Sequence, residues 1–232
     1  MKCRNPLMCP PKTRFPTIVK PAAFYDYHAD PNGSRRSYFY NIDLQGRLFL
    51  EDTLPKNVAT SIKDERFLNF FFARIRRNTT NDDDSEWPID PQDYPFVSVC
   101  TKYETNYIRP AACPIVFHSL QHTTEEDAAS SMLQHAGTLT TPFSPHALAV
   151  SSTSGRLYHG LEDRHRGTQY YGLIRSSVAV QLSERLDVNE EDGRWVYSTP
   201  ARTSDTDGDH NVLLPWLPIE HEPGPWGMPI SS

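Results

Sequence analysis

The chain has 232 residues, a formal net charge of −6, 38% apolar residues and 20 prolines, which bounds it to one sizeable domain or two small ones with generous loops and tails. No run approaches the roughly 20 consecutive apolar residues that a membrane-spanning helix needs. The acidic balance disfavours DNA as a partner, and the P-loop, GxGxxG, HExxH and GxSxG patterns are all absent, which removes the commonest nucleotide, protease and hydrolase readings.

Charge is unevenly placed. Lys2, Arg4, Lys12, Arg14 and Lys20 give the first 25 residues +5 with no acid, and the remainder carries −11. A basic, acid-free leader before an acidic body suits a mitochondrial presequence, although five prolines interrupt it. Residues 1–23 are therefore expected to be a leader or a disordered arm, 24–200 a single domain, and 201–232 a Pro- and Asp-rich tail. The four cysteines, at 3, 9, 100 and 113, have no CxxC spacing, so neither a zinc ribbon nor a thioredoxin-type motif is expected.

Tyr38, Tyr40 and Ile42 alternate with Phe39 and Asn41, and Leu48-Phe49-Leu50 follows a turn at Gly46. Two strands joined by a tight turn are predicted. Asp64 is placed to cap a helix in which Phe67, Leu68, Phe71, Phe72 and Ile75 share one face. Arg74, Arg76 and Arg77 are expected at its C-terminal end, where cations favour the helix dipole. Phe96–Cys100, Thr105–Arg109 and Pro114–His118 read as three strands. Thr123 with Glu126 forms a capping box, which predicts a second helix running through Met132 and Leu133 to Gly137. Residues 139–150 read as irregular, Arg156–His159 as a strand, Gly172–Leu182 as the longest late strand, and Trp195–Tyr197 as one more. A short apolar patch stands at Val212–Trp216. The order predicts an α+β fold, a mainly antiparallel sheet with two principal helices packed on it. Consecutive strands are too closely spaced for parallel crossovers.

Several of these pieces also carry a resemblance. They are Tyr38-Phe39-Tyr40 with Asp43, Gly46–Leu50 with Asp52, Asp64 with Phe67-Leu68, Pro95–Ser98 with Cys100, Asn106–Arg109, Pro114–Phe117, Gly155–His159 and Gly172–Ser176. Together they resemble uncharacterised protein family 0598 over about residues 35 to 200. The resemblance implies a mitochondrial protein of animals and no known activity. This chain departs from that pattern at Thr101–Thr105, and at Pro110, where the family tends to place a cysteine.

The candidate chemistry is thin. Cys100 and His118 are a conceivable thiol nucleophile and base, set against the commoner buried structural cysteine. His118 and His122, with Glu125, Glu126 and Asp127 behind them, would bind zinc on a helix. His118 instead ends a strand, so no metal site and no cofactor are expected. Arg156, Tyr158 and His159 at one strand end suit a phosphate or carboxylate, because the guanidinium is a planar fork donor. Arg109 and Arg175 lie in apolar strand candidates and should be paired or functional. They either join Arg156 on one anion or form salt bridges with Asp43, Asp52 or Glu104. Asp43 and Asp52 flank the hairpin and as a carboxylate pair would suit acid–base work, but turn and strand-end roles are the commoner ones for both. Arg35, Arg36, Tyr38 and Tyr40, with Arg74–Arg77, loosely meet what RNA contact requires.

The leading expectation is a soluble mitochondrial protein, in the matrix, that acts by binding a protein partner as an accessory factor. The alternative is an enzyme or ligand-binding domain for an anionic small molecule, with Cys100, His118 and His159 as catalytic candidates. The ligand-binding candidates in that case are Arg109, Arg156, Tyr158, His159 and Arg175. RNA contact comes third.

Overall fold

The computed structural model describes residues 36–79, 89–101, 103–121, 131–162, 169–199 and 210–217. The leader, the Thr123 capping box and most of the C-terminal tail lie outside them.

The fold is α+β, with two helices packed on a mainly antiparallel system of three sheets. Strand β1 (Arg36–Ile42) pairs antiparallel with β2 (Leu48–Leu50) through the turn that Gly46 makes at φ +78°. Asp43 builds that turn: one carboxylate oxygen accepts the Gln45 and Arg47 amides, each at 2.9 Å, and the other accepts the Arg47 guanidinium at 2.7 Å. Helix α1 (Glu65–Phe72) starts where Asp64 accepts the Phe67 amide at 2.6 Å. The Asp64 cap thus fills a donor that the first helical turn leaves unbonded.

α1 stops earlier than the apolar spacing predicts. Ala73 caps it, and Ile75, Arg76 and Arg77 leave the helix to form β3 (Ile75–Arg77). Only Arg74 keeps a helix-end role, donating to the Phe70 carbonyl at 3.0 Å while its guanidinium stacks 3.7 Å from the Phe70 ring centre. β3 pairs with β4 (Phe96–Thr101), and β4 with β5 (Glu104–Pro110). β5 then runs parallel to β1 over seven register pairs, giving the order β2-β1-β5-β4-β3. Tyr40, Ile42, Leu48, Phe96 and Ile108 meet Leu68, Phe71 and Phe72 of α1 in one core. The opposite face packs Phe39, Tyr94, Val97 and Tyr107.

The second sheet has the order β8-β7-β6-β11-β10-β9. It consists of β6 (Val116–Gln121), β7 (Met132–His135), β8 (Leu139–Pro142), β9 (Leu148–Val150), β10 (Leu157–Glu162) and β11 (Gln169–Ile174). Two expectations are corrected here. Met132 and Leu133 are strand, not helix: Leu133 pairs with Leu120 and is fully buried in the sheet's core, and β7 ends in a turn where Ala136 takes φ 54°. Residues 139–150 carry two strands separated by a 3-10 turn at Pro145–Ala147.

The late apolar run also divides. β11 ends at Ile174, and Ser176–Ser183 is helix α2. Val178 and Leu182, four residues apart, are both buried against β6, so helical packing outweighs the strand preference of the β-branched residues. A three-stranded antiparallel sheet closes this core: β12 (Leu186–Val188), β13 (Trp195–Thr199) and β14 (His210–Leu213).

Among the described residues two pairs of strands are parallel, β1 with β5 and β6 with β11, beside an isolated parallel bridge between Val150 and Trp216. Short spacing between consecutive strands excludes only parallel sequence neighbours. These partners are separated by several whole elements, which supply the crossover chain.

Candidate functional site

The second sheet carries a buried histidine cluster. Alternation along its strands puts Phe117, Leu133, His135, Leu157 and His159 on the face that meets α2. His159 is 2% exposed, and its Nε2 accepts the Ser144 amide at 3.0 Å. The proton of the neutral ring therefore sits on Nδ1, which has no hydrogen-bond partner among the described residues. The ring stacks on Phe143 at 5.7 Å and meets Phe117 edge-on at 5.8 Å. Phe143 reaches on to Tyr197 of the three-stranded sheet at 5.9 Å, so this imidazole helps join two sheets. His135 meets Phe117 at 5.6 Å, and its Nδ1 is likewise buried without a partner. Burial pulls both imidazoles down to about 4, so both are neutral at pH 7. Gly172 makes the cluster possible: a Cβ there would stand 2.5 Å from Phe117 Cε2 and 3.1 Å from Ile115 Cγ2.

His118 donates through Nε2 to the Ala136 carbonyl at 3.2 Å, since a carbonyl can only accept. Burial lowers its pKa, and the positive charge of Arg175 acts in the same direction. Cys100 lies elsewhere, at a bulge of β4 in the first sheet. Its Sγ accepts from Asn106 Nδ2 at 3.2 Å and lies 3.7 Å from Ser98 Oγ. Ser98 Oγ itself donates to the Phe71 carbonyl at 2.7 Å, so the thiol is the donor towards Ser98. Burial raises the Cys100 pKa. Cys113 bridges the β5–β6 connection to β11, donating to the Ile115 carbonyl at 2.8 Å and accepting the Leu173 amide at 3.1 Å; burial pushes its thiol up to about 12. Neither thiol is shifted towards the reactive thiolate.

The arginines occupy separate elements. Arg109, on β5, donates to Glu51 at 3.2 Å and to the Asp93 carbonyl at 2.9 Å, and its guanidinium lies 4.5 Å from the Tyr94 ring centre. Tyr94 donates to the same Glu51 carboxylate at 2.6 Å, and burial followed by that carboxylate raises the phenol's pKa. Glu51 thus takes the place expected for Asp43, Asp52 or Glu104 as the arginine's partner. Arg156 is exposed in the turn that Gly155 makes at φ +66°. Tyr158, one residue into β10, is 1% exposed and points to the face opposite His159. Arg175 caps α2 with its backbone, its carbonyl accepting the Val178 and Ala179 amides, each at 2.9 Å. No group of three or more His, Cys, Asp or Glu side chains among the described residues is placed to hold a metal ion. His122, Glu125, Glu126, Asp127 and Arg35 lie outside those residues.

Residues 28–205 match the family described as Domain of unknown function (DUF4505). The chain belongs to the DUF4505 family. That match overturns the resemblance to uncharacterised protein family 0598, and the animal and mitochondrial character implied by the resemblance goes with it. Among solved structures, the chain is similar to a DUF1285 family protein from Silicibacter pomeroyi DSS-3. The TM-score is 0.44 at 14% identity, over 79% of this chain and 82% of that one.

Two groupings in this DUF4505 chain have no local signature in the sequence. The Glu51–Tyr94–Arg109 cluster joins residues 43 and 58 positions apart, and Glu51 stands just past a strand where nothing distinguishes it from a turn acid. His135 falls within the helix that the capping pattern predicts, and only the strand register brings it beside Phe117.

Proposed function

We propose that this DUF4505 protein acts by binding, as an accessory factor for a protein partner, in the mitochondrial matrix. One observation carries the binding reading: the described thiols, the buried imidazoles and Arg109 are engaged in holding the fold together, and Arg156 is exposed. Cys100, Cys113, His118, His159 and Arg109 each bond a neighbour, and the two most buried imidazoles are neutral and sealed from water. Catalysis needs a group that reaches substrate and can exchange a proton with it. The matrix address is supported by the composition of the first 25 residues alone. No helix among the described residues is long and apolar enough to cross a membrane.

The test is native purification of the tagged protein from mitochondria, identifying proteins, RNA, metals and small molecules that travel with it. A stoichiometric protein partner is the expected result. A stoichiometric small anion instead, released by Arg156→Ala, would move the reading to an anion-binding domain. Substrate turnover that is lost on mutation of Arg156 or His159 would sink the accessory reading. RNA retention abolished by Arg74→Glu would replace it with an RNA-contacting factor.

A further inference from the structure

The apolar ladder of the three-stranded sheet runs past the end of its core. Leu186 pairs with Tyr197 and Tyr197 with Val212, and this part is packed against the second sheet's core. Two residues further along the same face, Val188 pairs with Trp195, and these two are 42% and 36% exposed. β12 is the outer strand of its sheet, so the pair stands at an edge. Around it the charge is one-sided: residues 184–195 hold five acids, Glu184, Asp187, Glu190, Glu191 and Asp192, against two arginines. Both arginines are occupied, Arg194 with Asp192 at 3.1 Å and Arg185 with the Tyr197 phenol. All five acids are solvent-exposed.

The apolar area that this Trp–Val pair leaves in water at the sheet edge is stabilised by being covered, in proportion to the area removed from water. Exposed tryptophan with a charged rim is also the composition of an interface centre. The rim selects the sign of what covers it, because like charges brought to such a surface repel. We propose that the β12–β13 hairpin is a docking surface for a basic, apolar-bearing segment of a partner protein, the apolar side chains covering Val188 and Trp195 and the Lys or Arg side chains facing Glu190 and Glu191. The inference rests on the binding reading above and assigns it a surface and a partner chemistry.

The test uses the full chain and a fluorescent amphipathic Lys/Leu peptide, with a Glu/Leu peptide as control. Binding of the Lys/Leu peptide with a Kd on the order of micromolar, weakening with salt, is the expected result. Trp195→Ser with Val188→Ser, and separately Glu190→Lys with Glu191→Lys, should each weaken it about tenfold or more. Glu190 and Glu191 are exposed, so the Tm of that variant should hold, and it keeps the test readable where loss of the Val188–Trp195 pair lowers the Tm. Wild-type affinity in both double variants, equal binding of the acidic peptide, or no binding at all would overturn the proposal. Binding that emerges only after removal of residues 1–25 would also overturn it, naming the chain's own basic segment as the occupant. The two levels separate in cells. A native partner retained by the Glu190→Lys/Glu191→Lys variant refutes this surface and leaves the accessory reading standing. Peptide binding without any native partner refutes the accessory reading.

Discussion

The two main sheets solve the same problem, polar groups inside a core, in different ways. In the five-stranded sheet the buried polar side chains are hydroxyl and amide. Ser98 donates to Phe71, and Asn106 donates to Ser98 and Cys100, so α1 and two strands are stitched together by groups that do not titrate near neutral pH. The ionisable groups of that half, Glu51 and Arg109, stay half-exposed and paired. In the six-stranded sheet the buried polar groups are imidazoles, each with one nitrogen that lacks a partner among the described residues, as Asn106 Oδ1 does in the first sheet. The second half therefore buries two groups that mild acid can charge, whereas the buried polar side chains of the first half, Ser98 and Asn106, take up no proton there. The difference extends to the surface: residues 36–79 carry eight Lys and Arg against five acids, whereas the β12–β13 hairpin is acidic.

Phe117 is where the imidazole core is most easily broken. It is fully buried, touches both histidine rings and leaves no room for a side chain at position 172. Phe117→Ala should cost about 3–5 kcal/mol, as large cavities in cores do. Gly172→Ala fails in the opposite way, by overpacking, and should cost about 1–3 kcal/mol because the ring it meets cannot swing into solvent. Urea unfolding followed by circular dichroism measures both. A loss below about 1 kcal/mol for Phe117→Ala would mean the ring is not the centre of that core.

Acid should act on the same half. In the folded state His135 and His159 hold their pKa near 4, below the ordinary value of 6.5. The unfolded chain then binds more protons between those values, so stability is complete above pH 6.5 and falls as pH drops towards 4. Each histidine accounts for on the order of 3 kcal/mol over that window. His159→Phe should flatten the slope of stability against pH between 6.5 and 4. An unchanged slope in that variant would show that the proton goes elsewhere. The starting stability at neutral pH should also fall, because the Ser144 amide loses its acceptor.

What could be read from the sequence follows this division. In the five-stranded half the signals are local: a glycine turn, a period-two alternation, an aspartate three residues before a helical amide. Each is decided within a few residues, and β1, β2, the Asp64 cap and the start of α1 are where the pattern puts them. In the second half the decisive contacts are distant. Met132 and Leu133 follow a real capping pattern, yet pairing with β6 makes them strand. Val178, Ala179 and Val180 favour a strand by composition, yet two buried positions four apart make them helix. The five-stranded half has one distant contact of its own, the parallel β1–β5 pairing of residues more than sixty apart, which no local pattern records. The histidine cluster was invisible for the same reason, and of its members only His159 could be singled out from its neighbours in sequence.

Breaking the helix cap tests the local half directly. Asp64→Ala removes the acceptor for the Phe67 amide and should cost about 1 kcal/mol, with Asp64→Ser or Asp64→Asn recovering most of it. Because the capped helix packs Phe71 and Phe72 into the first core, away from the buried histidines, the loss should be the same at pH 5.5 and at pH 7. A pH-dependent loss would connect the two cores and erase the contrast drawn above.

The smallest expected effect is at the Glu51–Tyr94–Arg109 cluster, and it separates stability from electrostatics. The Arg109–Glu51 pair is about one-third exposed on each side, so solvent screens it and Arg109→Lys should cost less than about 1 kcal/mol. The phenol should respond more clearly. Burial raises the Tyr94 pKa first, and the carboxylate adds to it by accepting the hydroxyl proton and by repelling the phenolate. Glu51→Gln keeps an acceptor near the hydroxyl and removes the charge, so Tyr94 should ionise at lower pH while the fold barely loses stability. Absorbance titration of Glu51→Gln against wild type, with Tyr94→Phe to identify the transition, reads the shift. If Glu51→Gln leaves the titration where it was, burial alone sets the phenol, and the cluster is a packing contact of Arg109 over an aromatic ring rather than a charge-coupled unit.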